Sequence, residues 1–595
     1  MINKFYNLVS KKEKKTIVWL FVLIVLMAFF DVLGIASILP FITLLSNPSL
    51  IETNVFLLEL FNFANNFGIY TKKNFLFFVG VFAFIFLFLS IILRALTNYF
   101  LVKFSFLSEY SIGKKLIEIY LYQPYVWFLD KNSADFGKTI LSEVTQVVRG
   151  ALLPLLILFS QGFSALMIIV LLIVVDPILT INITFVLAVS YFIIFSLAKS
   201  FLTKLGSKRL LSNQGRFLVL LEAFGAIKEI KLSSIEEKYI SRFGKNSYNF
   251  AKNQYLSGAI SILPRYLLEC VAFGGIIILI LFLMSSGAKF DSVLPIISLY
   301  AFAGYRLIPS IQQIYSSISS IRFSMPALDA LNQDLVLFNN SEELYTSKKK
   351  IDFKNKITLR NVNFYYPGTK KPAIENLNIE IPFNSKIGFV GKTGSGKTTT
   401  VDLILGLLEP HTGTILVDEE IINKKNRRYW CINIGYVPQQ IYLSDSTILS
   451  NIAFGIDPKK IDKNRIEKVA KIACIHNFIS TELPEKYNTV VGERGIKISG
   501  GQKQRIGIAR ALYHQPSVLI MDEATSALDN ITEKNLINSL NNIGYKITII
   551  KIAHRLSTVK NCSKIYLFDE GKVVEQGTYE ELILKESKFK LMHSS

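Results

Sequence analysis

The reading of this chain turns on Gly391-Lys392-Thr393-Gly394-Ser395-Gly396-Lys397-Thr398, which fits the pattern GxxxxGK[ST]. It follows the apolar run Ile387 to Val390, which predicts a strand, and precedes Thr400 to Leu408, which predicts a helix. That strand–loop–helix context is what the pattern requires. Its glycines let successive backbone N–H groups curl around a phosphate, and the helix N-terminus adds partial positive charge. Lys397 would reach the β- and γ-phosphates, the Thr398 hydroxyl would ligate Mg²⁺, and Thr399 belongs to the same nucleotide-binding set as Gly391, Thr393, Gly394, Ser395 and Gly396.

Two further stretches support this one. Val518-Leu519-Ile520-Met521 is an apolar strand that ends in Asp522-Glu523, 125 residues after Lys397. Asp522 suits the Mg²⁺ shell, and Glu523 suits a general base that polarises an attacking water. Alone, the pair would read as a solvated acidic turn; the phosphate loop makes the chemical reading the better one. Ser499-Gly500-Gly501-Gln502 opens a second helix and offers another phosphate-binding N-terminus.

Outward from these motifs, the composition excludes an ordinary soluble protein. Of 595 residues, 51% are hydrophobic and 19% charged, with 45 Phe, and mean hydropathy is +0.38; soluble domains carry about 25% charged residues. Disorder is excluded on the same ground. The net charge of +21 fits nucleic acid, an anionic membrane surface or a lysine-rich genome equally. Cys270, Cys431, Cys474 and Cys562 form no CxxC pair, so neither a disulfide framework nor a zinc site is expected.

Six apolar stretches predict membrane spans: Thr16 to Leu45, Phe75 to Val102, Ala151 to Val175, Pro177 to Ala198, Gly258 to Met284 and Ser292 to Ile318. Each is long enough to cross about 30 Å of hydrocarbon as a helix. The long loop from Lys199 to Lys252 carries eleven Lys/Arg against four Asp/Glu, and Lys11, Lys12, Lys14 and Lys15 precede the first span. The positive-inside rule therefore puts both termini and the two long loops in the cytoplasm. The stretch from Asn47 to Asn66 reads either as a short amphipathic helix, with Ile51, Val55, Leu58 and Phe61 on one face, or as an ordinary outer loop. The expected architecture is a membrane α-helical region of six transmembrane helices (residues 1–325), a linker (326–350) and a soluble α/β P-loop ATPase domain (351–595).

The segment Ile498-Ser499-Gly500-Gly501-Gln502 resembles the signature motif of ABC ATPases, with Ile498 where the family usually has Leu. The remaining family pattern then matches position by position. Tyr366 resembles the aromatic that stacks on adenine. Gln439, in Gly435-Tyr436-Val437-Pro438-Gln439, resembles the glutamine that senses Mg²⁺ and the membrane domain. Glu493 lies in a loop typical of exporters, Asp529 closes Ser526-Ala527-Leu528-Asp529 as in the D-loop, and His554 resembles the switch histidine at the γ-phosphate. The resemblance is to the exporter-type half transporter. It implies catalytic roles for Glu523, His554 and Gln439, ATP and Mg²⁺ as cofactors, Mg²⁺ held by Thr398, Gln439 and Asp522, and a bacterial inner-membrane location. It also implies a second copy, as homodimer or with a similar half transporter, because each nucleotide is sandwiched between the phosphate loop of one chain and the signature of another. Each long loop would carry a coupling helix, here around Ser133 to Thr139 and Glu222 to Lys231.

Arg94, Arg265 and Arg306 lie in or near apolar spans, where a central arginine costs roughly 2.5–3.5 kcal/mol. They form either an ion-pair network, with Glu269 and Asp31 as partners, or a basic cavity for an anionic head group. The strings Pro264-Arg265-Tyr266-Leu267-Leu268-Glu269 and Tyr305-Arg306-Leu307-Ile308-Pro309-Ser310 are similar to those of bacterial flippases for lipid-linked oligosaccharides. That resemblance implies a polyprenyl-pyrophosphate glycan as substrate; a multidrug or lipid A exporter is the alternative. No nucleic-acid partner is expected, because nucleic-acid ATPases of this family carry two nucleotide domains and no membrane region.

Overall fold

In the computed structural model the described residues are 4–5, 8–46, 51, 55–66, 68–266, 269–270, 274, 277, 290–336, 351–553, 556–584 and 588–590. By contacts the chain divides into two units: Met1–Gln123 with Lys131–Glu342, and Pro124–Asp130 with Glu343–Ser595.

The first unit is helical. Its helices are α1 (Lys11–Ala36), α2 (Ile38–Ser46), α3 (Val55–Asn65) and α4 (Lys72–Leu121). A longer helical stretch, Ser133–Val175, ends in α5 (Leu153–Val175) and is followed by α6 (Pro177–Gly225), α7 (Ile227–Ser233), α8 (Glu236–Ile262) and α9 (Phe290–Val336). Ser10 starts α1 through a capping box: Glu13 N donates to Ser10 Oγ (3.3 Å) and Ser10 N to Glu13 Oε2 (2.7 Å). Among the described residues, four stretches are long and apolar enough to cross a membrane: Lys11–Leu45, Lys72–Leu121, Ser133–Val175 and Ala188–Gly225. Most of the expected fifth span lies outside the described residues, and the sixth falls within α9.

The helices that carry the second, fourth and sixth expected spans run past Val102, Ala198 and Ile318, to Leu121, Gly225 and Val336. At 1.5 Å per residue the 50 residues of α4 extend about 75 Å, far beyond the hydrocarbon. The first part of the expected linker is therefore helix, with Ala327, Leu328, Leu331 and Leu335 buried, while residues 337–350 lie outside the described ones. The stretch after the first span is helical in α3, and its packed face is shifted from the expected one. Ile51 and Ala64 are buried with Phe75, Leu60 and Phe61 pack on them, and Leu58 is exposed.

The second unit has two sheets. One is antiparallel, in the order β2-β1-β4-β5, with β1 Lys356–Phe364, β2 Ile374–Pro382, β4 Thr412–Val417 and β5 Glu420–Ile421. The other runs β10-β9-β3-β8-β7-β6, with β3 Lys386–Gly391, β6 Ile434–Val437, β7 Val518–Asp522, β8 Thr548–Ala553, β9 Lys564–Asp569 and β10 Lys572–Gly577. Strands β6, β7, β8, β3 and β9 are parallel, and only β10 pairs antiparallel. All of β7 is buried, as a parallel strand covered on both faces must be. Residues 124–130 belong to this unit, and Val126 packs on its core. In the first long loop, the segment that belongs to the second unit is thus Tyr125-Val126-Trp127-Phe128-Leu129, ahead of the expected Ser133 to Thr139, which lies in the helical unit.

Candidate functional site

Strand β3 lies inside the six-stranded sheet and ends at Gly391, so the following loop opens at the carboxyl edge, where ligands sit in such sheets. Two glycines are required there. Gly391 has φ +153°, and a Cβ would sit 2.3 Å from Phe568 O; Gly396 has φ +103°, and a Cβ would sit 2.8 Å from the Ile374 side chain. Gly396 then caps α10 (Lys397–Ile404).

Lys397 is 5% exposed. Its Nζ donates to the carbonyls of Gly391 (2.8 Å) and Lys392 (2.9 Å), folding the side chain back across its own loop. Burial lowers its pKa, and nearby Glu523 and Asp522 oppose that shift. The buried Ser395 Oγ has no hydrogen-bond partner among the described residues. A buried hydroxyl left unpaired on a glycine-rich loop that opens a helix fits a phosphate oxygen as its partner. Thr398 is exposed at the loop's end, and Tyr366 Oη lies 3.1 Å from Thr399 Oγ1.

The carboxylates arrive from β7. Asp522 is 7% exposed at the strand's end, and the Tyr436 hydroxyl lies 3.5 Å from its Oδ2. Glu523 follows with φ +48°, a left-handed conformation that costs a glutamate energy. Gln439 Nε2 donates to Glu523 Oε2 at 2.9 Å. Thr398, Asp522 and Gln439 offer a hydroxyl, a carboxylate and an amide; hard oxygen donors of this kind fit Mg²⁺ bound jointly with phosphate oxygens.

Ser499, Gly500, Gly501 and Gln502 form a separate cluster at the start of α11 (Gly500–Tyr513). Ser499 N donates to Gln502 Oε1 (2.9 Å) and Gln502 N to Ser499 Oγ (3.3 Å), which closes a capping box. A Cβ on Gly501 would lie 2.9 Å from Ala527 O, and Gln504 bridges Ser526 and Ala527 N. This cluster therefore packs on residues 526–528. Asp529 caps the next helix, accepting from Thr532 N (2.9 Å) and Thr532 Oγ1 (2.7 Å), which holds its carboxyl below the usual range. His554 lies outside the described residues.

One acidic residue of this site was not anticipated from the sequence. Asp402 sits on α10 one turn beyond Thr398, and its pKa is pushed up to about 6 by burial and then by the charge of Asp522. Tyr125, from the 124–130 segment, has its hydroxyl pKa raised by burial and by nearby Asp402 and Tyr366. The i, i+4 spacing from Thr398 was the available signal for Asp402.

In the helical unit, Arg94 and Arg306 converge on Asp31. Arg94 Nη2 lies 2.6 Å from Oδ2 and Arg306 Nη1 3.4 Å from Oδ1. Arg265 stands apart, exposed and paired with Glu269 at 2.7 Å. A cavity of about 520 Å³ in the same unit is lined almost wholly by apolar residues of α1 to α4, among them Leu33, Phe41's neighbour Pro40, Phe75 and Phe86.

Comparison with known proteins matches the same two regions. A family model described as "ABC transporter transmembrane region" matches residues 38–303, and one described as "ABC transporter" matches residues 374–526. The heterocyst differentiation ATP-binding protein HepA of Nostoc sp. is 33% identical over 385 residues, 63% of this chain and 61% of that protein. Multidrug resistance protein 1 of Entamoeba histolytica is 39% identical over 269 residues, 45% of this chain and 20% of that protein. The chain spans between 19% and 61% of the length of the first curated relatives it matches. A solved structure titled as a bacterial Atm1-family ABC exporter with ATP bound shares the fold, with TM-score 0.78 and 21% identity over 96% of this chain and 97% of that one. On one chain, an ABC transporter transmembrane region is thus followed by an ABC transporter ATPase domain, and the whole has the fold of an ABC exporter.

Proposed function

We propose that two copies of this chain, or this chain with a similar half transporter, form an ATP-driven exporter of the bacterial inner membrane. It would move an anionic lipid-linked substrate, with a polyprenyl-pyrophosphate oligosaccharide as the best fit. The observation that carries the ATPase part is the Gln439–Glu523 contact at 2.9 Å beside Lys397 and Asp522.

Bound Mg²⁺ would neutralise phosphate charge, with Thr398, Asp522 and Gln439 as its protein donors. Lys397 is held by two loop carbonyls and must exchange them for phosphate oxygens on nucleotide binding, so the loop stores the lysine close to where it acts. Ser395 Oγ and the loop N–H groups would cradle the same phosphates, and Tyr366 would stack on adenine. Glu523 accepts the proton of the attacking water, and Gln439 holds the Glu523 carboxylate in place. His554 would contact the γ-phosphate. Ser499, Gly500, Gly501, Gln502 and Asp529 would complete the other copy's site. ATP can close the pair only if it binds the closed state better than the open one. Closure would then reach the helices through segments such as Tyr125–Leu129.

The basic pair Arg94 and Arg306 supports an anionic head group, since guanidinium binds phosphate oxygens bidentately. The apolar cavity in the same helical unit supports a lipid tail. A multidrug or lipid A exporter is the second reading, favoured by the almost entirely apolar lining of that cavity. The experiment that separates them is ATPase stimulation in proteoliposomes by a polyprenyl-pyrophosphate glycan against hydrophobic cations and lipid A. Stimulation by the glycan alone supports the first reading, and stimulation by the others alone supports the second.

A further inference from the structure

We infer that Asp31 is a built-in counter-ion that occupies Arg94 and Arg306 until the transported anion displaces it, and so sets which anions the transporter accepts. This rests on the anionic-substrate reading above.

The cluster joins four helices: Asp31 on α1, Ser90 and Arg94 on α4, Ser164 on α5 and Arg306 on α9. Asp31 Oδ1 accepts from Ser90 Oγ (2.5 Å) and Arg306 Nη1 (3.4 Å); Oδ2 accepts from Arg94 Nη2 (2.6 Å) and Ser164 Oγ (2.9 Å). A carboxylate offers about four lone-pair sites, and all are filled. The two guanidiniums have about five N–H donors each and are far from filled: Arg94 Nε is buried without a partner among the described residues. The acceptor is saturated while the donors are in surplus, and two positive charges face one negative. An uncompensated positive charge within apolar spans is costly, and a second anion would remove that cost.

Access has the same polarity. The Asp31 side chain is fully enclosed, whereas Arg94 is 26% and Arg306 12% exposed. An incoming ligand would meet cations first. The apolar cavity approaches the cluster along α4, where its lining residue Phe86 lies one turn before Ser90 on the same face. Head group and tail would thus bind side by side. A phosphate with one or two charges must compete with a four-bonded carboxylate. A pyrophosphate brings more acceptor oxygens than Asp31 and competes best.

The test is ATPase stimulation of the full-length protein in proteoliposomes, titrated with undecaprenyl pyrophosphate and with undecaprenyl monophosphate, comparing wild type with Asp31→Asn. The expected result is a half-maximal concentration about tenfold lower in Asp31→Asn for both lipids, with discrimination between them reduced. A wild type that responds and an Asp31→Asn variant with unchanged half-maximal concentrations would overturn the counter-ion role alone. If neither protein responds to either lipid, the anionic-substrate reading falls as well. Should Asp31→Asn fail to fold, Ser164→Ala removes one hydrogen bond holding the carboxylate and keeps both arginines. A shift in the same direction then supports the proposal, and no shift overturns it.

Discussion

The two units of this chain handle buried charge in opposite ways. In the nucleotide unit the charged groups sit on loops at the end of a parallel sheet, each delivered by a short run of sequence. Gly391 to Thr398 follows β3, and Asp522-Glu523 ends β7. In the helical unit the charges sit inside packed helices and meet only across the fold: Asp31 bonds residues 59, 63, 133 and 275 positions away. Glu143 and Arg209 form a second buried pair, 66 residues apart, with Asn213 Nδ2 donating to Glu143 at 2.7 Å. One unit builds a site to be opened by a ligand from solvent; the other builds knots whose partners cannot be removed singly without stranding a charge.

That contrast makes graded predictions. The largest is Glu523→Gln, which should lower phosphate release by about 10²–10⁴-fold while equilibrium ATP binding stays near wild type. Turnover within a few-fold of wild type would break the assignment of the base. Next, Arg209→Ala should lower stability by about 3–5 kcal/mol, because it strands Glu143 in a site where both side chains are 2% exposed. A thermal shift of only a degree or two would erase the difference between the units. Ser499→Ala should cost about 1 kcal/mol through the lost capping box, read as a small drop in unfolding midpoint.

The smallest prediction concerns pH. Asp402 has its pKa raised to about 6 in the fold, so the folded state holds its proton more tightly than the unfolded chain. Its contribution to stability is fully present below the unfolded value near 4 and is lost as pH rises through about 6. Asp402→Asn should therefore gain stability relative to wild type between pH 4 and 7, measured as the difference in unfolding midpoint across that range. A difference independent of pH would rule out the titration.

The same contrast explains what could be read from the sequence. The phosphate loop, the two carboxylates and the serine cap are local patterns whose spacing already encodes their geometry, and Lys397, Asp522, Glu523 and Gln439 do come together. Helix ends were not legible: the roughly 30 Å of hydrocarbon limits the apolar stretch but gives no signal to stop the helix. The helix α4 continues through Lys103, Glu109, Gly113 and Lys114, and the single glycine there does not end it. Pro309 and Pro326 do not end α9 either. The sequence offered Asp31 as one possible partner of the arginines, but that Ser90 and Ser164 would fill its remaining sites depends on how four helices pack. The aromatic run Tyr125 to Leu129 between Pro124 and Asp130 was visible and is the part of the first long loop that belongs to the nucleotide unit.

The central claim is that turnover at Glu523 drives an anionic lipid across the membrane. It is tested most directly by ATP-dependent translocation of a polyprenyl-pyrophosphate oligosaccharide in proteoliposomes, comparing wild type with Glu523→Gln. The account predicts translocation by wild type that requires ATP and is lost in the variant. Equal translocation by both proteins, or none by a wild type that hydrolyses ATP and responds to hydrophobic drugs instead, would contradict it.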